Sequence, residues 1–191
     1  MSAFDTIVEA DHKLFFFLNG LHQNWLDAPM TLVSNRLVWI PLYAWMLYLL
    51  YKKYVKGTLI ILLCAIGLIL FSDQTANVFK EIVQRFRPTH NPAFGHLVHT
   101  VNEYRGGTYG FFSGHATNAF ALIMFSLLLL KPSKTYFKII LISYACITSY
   151  SRIYLGVHYP ADIFVGALCG IGLGFLFTNF TKVIIKKWNI K

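Results

Sequence analysis

Five apolar runs, at residues 30–51, 58–79, 114–130, 136–150 and 160–181, constrain this chain more than any other feature, because together they read as successive membrane-crossing helices. With 56% hydrophobic and only 13% charged residues the chain is also too apolar for an ordinary soluble domain, which carries about 45–50%. One membrane-embedded domain over residues 1–191 is therefore expected. The formal net charge of +9 invites a nucleic-acid partner, but the placement of the charges excludes one. Ten of the seventeen basic residues fall in three segments without an acid: Lys52, Lys53 and Lys56; Lys131, Lys134 and Lys138; Lys182, Lys186, Lys187 and Lys191. Lys and Arg flanking transmembrane helices stay cytoplasmic, so these clusters mark inner loops and the inner terminus.

Residues 4–26 alternate apolar and polar groups around Leu14 to Leu18, an apolar core too short to span, and a helix lying in the interface or re-entering it is expected. The expected architecture is an all-α integral membrane protein with five spans, or six if this first segment crosses, its amino terminus outside and its carboxyl terminus inside. The polar stretch 85–112 becomes an outer loop. The first thirteen residues carry three acids against one Lys, the opposite of a signal peptide's basic start. Cys64, Cys146 and Cys169 lie inside apolar runs and read as small core residues.

This threading brings Lys80, Ser113, Arg152 and Asp162 to the outer ends of four different helices. Lys80 to Pro88 carries three cations, and if the helix continues past Lys80, Arg87 lies two turns on along the same face. Arg offers phosphate a planar fork and Lys a compact charge. Ser113 suits a helix cap, the free N–H groups that follow form an anion site, Gly114 permits close approach, and His115 can protonate a leaving oxygen. Pro160 belongs in a first turn, so a helix should start near Tyr159 with Asp162 in that turn and His158 just before it. A carboxylate there can hold an imidazole N–H and leave the other ring nitrogen free as nucleophile or base. Each segment alone also has a plainer reading: a basic collar on lipid headgroups, an ordinary cap, a polar helix end.

Taken together and in order, Lys80-x6-Arg87-Pro88, Ser113-Gly114-His115 and Ser151-Arg152-x5-His158-x3-Asp162 resemble the signature of the type 2 phosphatidic acid phosphatase superfamily. Phe112 stands where that family usually has Pro. The resemblance implies a membrane lipid phosphatase in which His158 is the nucleophile, Asp162 orients it, and His115 protonates the leaving group. Lys80, Arg87, Arg152, Ser113 and Gly114 would bind the phosphoryl oxygens. It implies no cofactor and no metal, a lipid phosphate as substrate and the bilayer as surroundings; the charge placement puts the expected active site at the periplasmic face of a bacterial inner membrane. Undecaprenyl diphosphate is the favoured substrate, with phosphatidylglycerophosphate and lipid A 1-phosphate as alternatives. A non-catalytic protein that binds anionic lipid would explain the charges but not Ser-Gly-His or the His158 and Asp162 pair; a haloperoxidase is disfavoured because its relatives are soluble. Asp73 lies seven residues before Lys80 and should contact another helix, with a role in substrate binding as the alternative; Arg36 can snorkel. His96 and His99 have metal-pair spacing but lack a third ligand, and Glu103 and Arg105 could meet a headgroup.

Overall fold

The computed structural model describes residues 2–132 and 134–188, so Lys191, assigned above to the inner terminus, lies outside the described residues. Among the described residues seven α-helices follow one another: α1 (Ala3–Asn19), α2 (Asn24–Ser34), α3 (Ile40–Lys53), α4 (Thr58–Val83), α5 (Gly114–Leu130), α6 (Thr135–Tyr154) and α7 (Pro160–Lys187). Among the described residues there is no strand beyond one isolated antiparallel bridge, Phe86 to Tyr109.

Two helical stretches, Val55–Val83 and Pro160–Lys187, are long and apolar enough to cross a membrane, with α5 a shorter apolar helix. Only 28% and 22% of their most apolar windows are buried, and Leu63, Leu70, Phe164, Leu168 and Leu176 point outward. A soluble protein would hide such helices, whereas hydrocarbon accepts them. The single span expected at 30–51 is broken: α2 ends at Ser34, a 3-10 turn covers Arg36–Trp39, and α3 starts at Ile40. Asn35 makes the break by accepting the Leu37 N–H at 2.9 Å, and Pro41 fits the first turn of α3. At 14 residues α3 rises only about 21 Å, less than the ~30 Å hydrocarbon layer.

α5 sits at the centre. Its face built from Ser113, Thr117 and Ala121 packs on Gly166, Gly170 and Gly174 of α7, where any Cβ would meet α5 backbone at 2.7, 2.3 and 2.5 Å. Small residues one turn apart on α7 thus let two backbones touch. Apolar side chains of α3 and α6 close one flank of α5, through Met46, Phe137 and Leu141, while Ile61 and Leu68 of α4 close the other. Lys53 Nζ donates to the carbonyls of Leu129 (2.9 Å) and Leu130 (2.6 Å), and Gly57 lies against Ile185. The basic clusters at the ends of α3, α5 and α7 are therefore gathered at one end of the bundle. At the other end α1 packs over the start of α7, with Phe15 buried against Val98, Ile153 and Tyr159.

Candidate active site

α4 ends where Gln84 adopts the left-handed conformation (φ 50°) and donates its N–H to the Lys80 carbonyl at 3.0 Å. Arg87 is thus not on the helix face shared with Lys80, as the spacing suggested. It arrives on an extended segment that pairs with the far end of the long loop, Arg87 N–H to Thr108 O at 3.0 Å and Gly110 N–H to Arg85 O at 2.9 Å. Its guanidinium is then fixed by the Tyr109 carbonyl (Nε to O, 3.0 Å). Arg152, in the last turn of α6, donates to Ser34 Oγ and to the Tyr104 hydroxyl (3.1 Å). Burial would raise the Tyr104 phenol, but the Arg152 and Arg87 guanidiniums outweigh it and hold the phenol below its ordinary range.

α7 begins at Pro160, as the proline required, and Asp162 Oδ2 accepts the Tyr159 N–H at 2.9 Å. His158 precedes the helix, buried, with Nδ1 3.5 Å from Asp162 Oδ2, just beyond hydrogen-bond reach. Burial first, then the positive charges of Arg87, Arg152 and Lys80, keep its pKa well below the ordinary imidazole value, so the free ring is neutral at pH 7. Gly110 covers the pair: a Cβ there would lie 3.3 Å from Asp162 Oδ2 and 3.6 Å from His158 Nδ1.

Six of the eight residues singled out by the sequence, Lys80, Arg87, Gly114, His115, Arg152 and His158, line one cavity of about 460 Å³. The other two stand behind its wall. Ser113, fully buried, caps α5 through its Oγ and the Ala116 N–H (3.4 Å) and donates its own N–H to the Asp162 carbonyl (3.1 Å), which ties α5 to α7 at the site. Asp162 is fully buried beneath His158. The cavity opens at Arg36, Leu70 and His115 into an apolar groove of about 340 Å³ that also includes Trp39, Ile69 and Leu122. His115 therefore stands where a polar compartment meets an apolar one.

Several site residues were not legible. Arg36 does not snorkel; it forms a two-pronged pair with Asp73 (3.1 and 3.2 Å) on the cavity wall. Asp73 also accepts from Asn118 Nδ2 at 2.8 Å, so it makes the interhelical contact that its depth required. Tyr104, not its neighbours Glu103 and Arg105, reaches the cavity. Arg85, one of the three cations in the Lys80 to Pro88 segment, faces away and pairs with Asp11 and Asp162. His99 is occupied by Asp27 (3.1 Å) and stacked on His22 rather than paired with His96.

The PAP2 superfamily model matches residues 58–186. A lipid A 4'-phosphatase of Bacteroides thetaiotaomicron is 39% identical over 173 residues, covering 88% of this chain and 76% of its own length. One from Porphyromonas gingivalis is 37% identical over 170 residues, covering 88% and 71%. An undecaprenyl-diphosphatase of Sulfolobus acidocaldarius is 32% identical over 174 residues, covering 86% and 75%. The crystal structure of a transmembrane PAP2-type phosphatidylglycerolphosphate phosphatase from Bacillus subtilis superposes with a TM-score of 0.69 at 25% identity, covering 94% of this chain and 88% of that one. The chain belongs to the PAP2 superfamily and is a membrane lipid phosphatase.

Proposed function

We propose that this enzyme removes a phosphate monoester from a lipid A-type saccharide lipid, through a phosphohistidine on His158, at the periplasmic face of a bacterial inner membrane. The observation that carries the chemistry is the meeting of His158, His115, Lys80, Arg87 and Arg152 around one cavity. The choice of lipid is supported by the two lipid A 4'-phosphatases, each aligned with 88% of the chain. Undecaprenyl diphosphate is the second reading, supported by the 32% identical undecaprenyl-diphosphatase. Purified protein assayed on lipid A, undecaprenyl diphosphate and phosphatidylglycerophosphate separates them. The highest kcat/KM is expected on lipid A; a tenfold preference (about 1.4 kcal/mol) for the prenyl diphosphate would reverse the order.

Lys80, Arg87 and Arg152 hold the phosphoryl oxygens, assisted by the N–H of Gly114 at the start of α5. His158, neutral and backed by Asp162, attacks phosphorus through Nε2; the N–P bond forms as the P–O bond to the lipid breaks. His115, at the boundary between cavity and groove, gives its proton to that leaving oxygen. Water then attacks the phosphohistidine, its proton passes to His115, and phosphate leaves as the N–P bond breaks. Three fixed cations neutralise the charge developing on the transferring group. Turnover should accordingly survive EDTA; activity lost to EDTA and restored only by adding Mg²⁺ or Zn²⁺ would contradict this route.

The opposite placement of the basic clusters and the cavity supports the periplasmic reading. Replacing Glu103 by cysteine, with Cys64, Cys146 and Cys169 removed, should give labelling by an impermeant maleimide on intact spheroplasts. Cysteine at Lys187 should react only after lysis. The reverse pattern would place the cavity in the cytoplasm.

A further inference from the structure

We propose that Asp11 of the amino-terminal helix and Arg85 form a latch that positions Asp162, so that α1 is part of the catalytic apparatus rather than a surface anchor. The inference rests on the phosphohistidine reading of His158. Arg85 Nη2 donates to Asp11 Oδ2 at 2.6 Å and Nη1 to Asp162 Oδ1 at 2.8 Å. The remaining oxygen of Asp11 accepts the Ala161 N–H at 2.9 Å, inside the first turn of α7. The guanidinium lies over the Tyr159 ring, 4.0 Å from its centroid. Three segments far apart in sequence thus meet at one cation, with side chains 8% (Asp11), 22% (Arg85) and 0% (Asp162) exposed. Asp11 lies ahead of the region that the family model covers.

This arrangement fixes which way the Asp162 carboxylate faces. Arg85 takes Oδ1 and the Tyr159 N–H takes one position on Oδ2, leaving the rest of Oδ2 toward His158 Nδ1 at 3.5 Å. It also sets the charge. Asp11, Arg85 and Asp162 sum to −1, which offsets the positive charge that His158 acquires when Nε2 is bonded to phosphorus and Nδ1 keeps its proton. Without Asp11, Arg85 would neutralise Asp162 alone; without Arg85, two buried carboxylates would face each other. Neither Asp11 nor Arg85 lines the phosphate cavity. The His158 ring is faced by Asp162, Gly110, Arg87, Lys80, Arg152 and His115, so the Asp11 and Arg85 side chains bear on it through Asp162 and not by direct contact.

The test compares the full-length detergent-solubilised wild type with Asp11→Asn, Arg85→Gln, Arg85→Lys and His158→Ala, on one lipid phosphate, across pH. The latch predicts that Asp11→Asn and Arg85→Gln lower kcat by roughly ten- to a hundredfold, the scale for groups that orient a reacting side chain, with KM held within about threefold. The acid limb of kcat/KM should move in opposite directions: to lower pH in Asp11→Asn, which removes a negative charge, and to higher pH in Arg85→Gln, which removes a positive one. Arg85→Lys should recover part of kcat. If Arg85→Gln fails to fold, Asp11→Asn and Arg85→Lys carry the test. Unchanged kcat in Asp11→Asn, or losses with no movement of the acid limb, would overturn the latch while an inactive His158→Ala leaves the nucleophile assignment standing. A fully active His158→Ala would overturn that assignment and the latch with it.

Discussion

Replacing His158 by alanine is expected to lower phosphate release by about three to six orders of magnitude while the protein still inserts and folds. The ring contributes little to the fold: Nδ1 has no hydrogen-bond partner among the described residues, and its loss would enlarge a cavity already of about 460 Å³. What disappears is the imidazole set against Asp162 on the wall of that cavity. Burial and three nearby cations keep this imidazole deprotonated well below its ordinary pKa, so wild-type kcat/KM should hold as pH falls through 6.5 and decline only at more acid values. Asp162→Asn should cost nearly as much activity and also stability. Its two oxygens accept from Arg85 and from the Tyr159 N–H, and an amide would turn its NH₂ toward one of those donors. Substantial phosphatase activity in well-folded His158→Ala protein would remove the phosphohistidine mechanism.

The parts of the site written in short-range pattern were legible. A proline at a helix start with an acid two residues later fixed the beginning of α7, and a Ser-Gly pair ending the long loop fixed that of α5. Charge placement separated the basic end of the bundle from the end carrying the cavity. What the sequence hid depends on contacts between distant segments. The route of Arg87 is set by the left-handed turn at Gln84 and by pairing with residues 108–110, so a helical extrapolation from Lys80 fails. The partners of Arg85 lie 74 and 77 residues away. The break after Ser34 was hidden because hydropathy is blind to a change from α-helix to 3-10 turn when the residues stay apolar. Arg36 followed that break into the cavity wall, where a continuous helix would have left it to snorkel.

Gly170→Ala should damage both fold and turnover, and Gly172→Ala, two residues on, should do neither. A Cβ at Gly170 would lie 2.3 Å from the Thr117 carbonyl oxygen and 3.0 Å from the Ala121 nitrogen, both backbone atoms of α5. Neither can swing aside as a flexible side chain would, so α5 and α7 must separate. Overpacking of this kind costs about 1–3 kcal/mol and should appear as a lower Tm in detergent. The larger effect is expected on catalysis. α5 carries Gly114 and His115, α7 carries Asp162, and the Ser113 N–H to Asp162 carbonyl bond of 3.1 Å joins them directly above the glycine contact. Displacing one helix shifts His115, the proposed leaving-group acid, relative to His158, the proposed nucleophile, and a misplacement of about 1 Å can cost about a hundredfold in rate. Gly172 has nothing within 4 Å, so an added methyl there meets only open space. Equal activities and equal melting temperatures for the two variants would show that the close approach of α5 and α7 does not hold the site together.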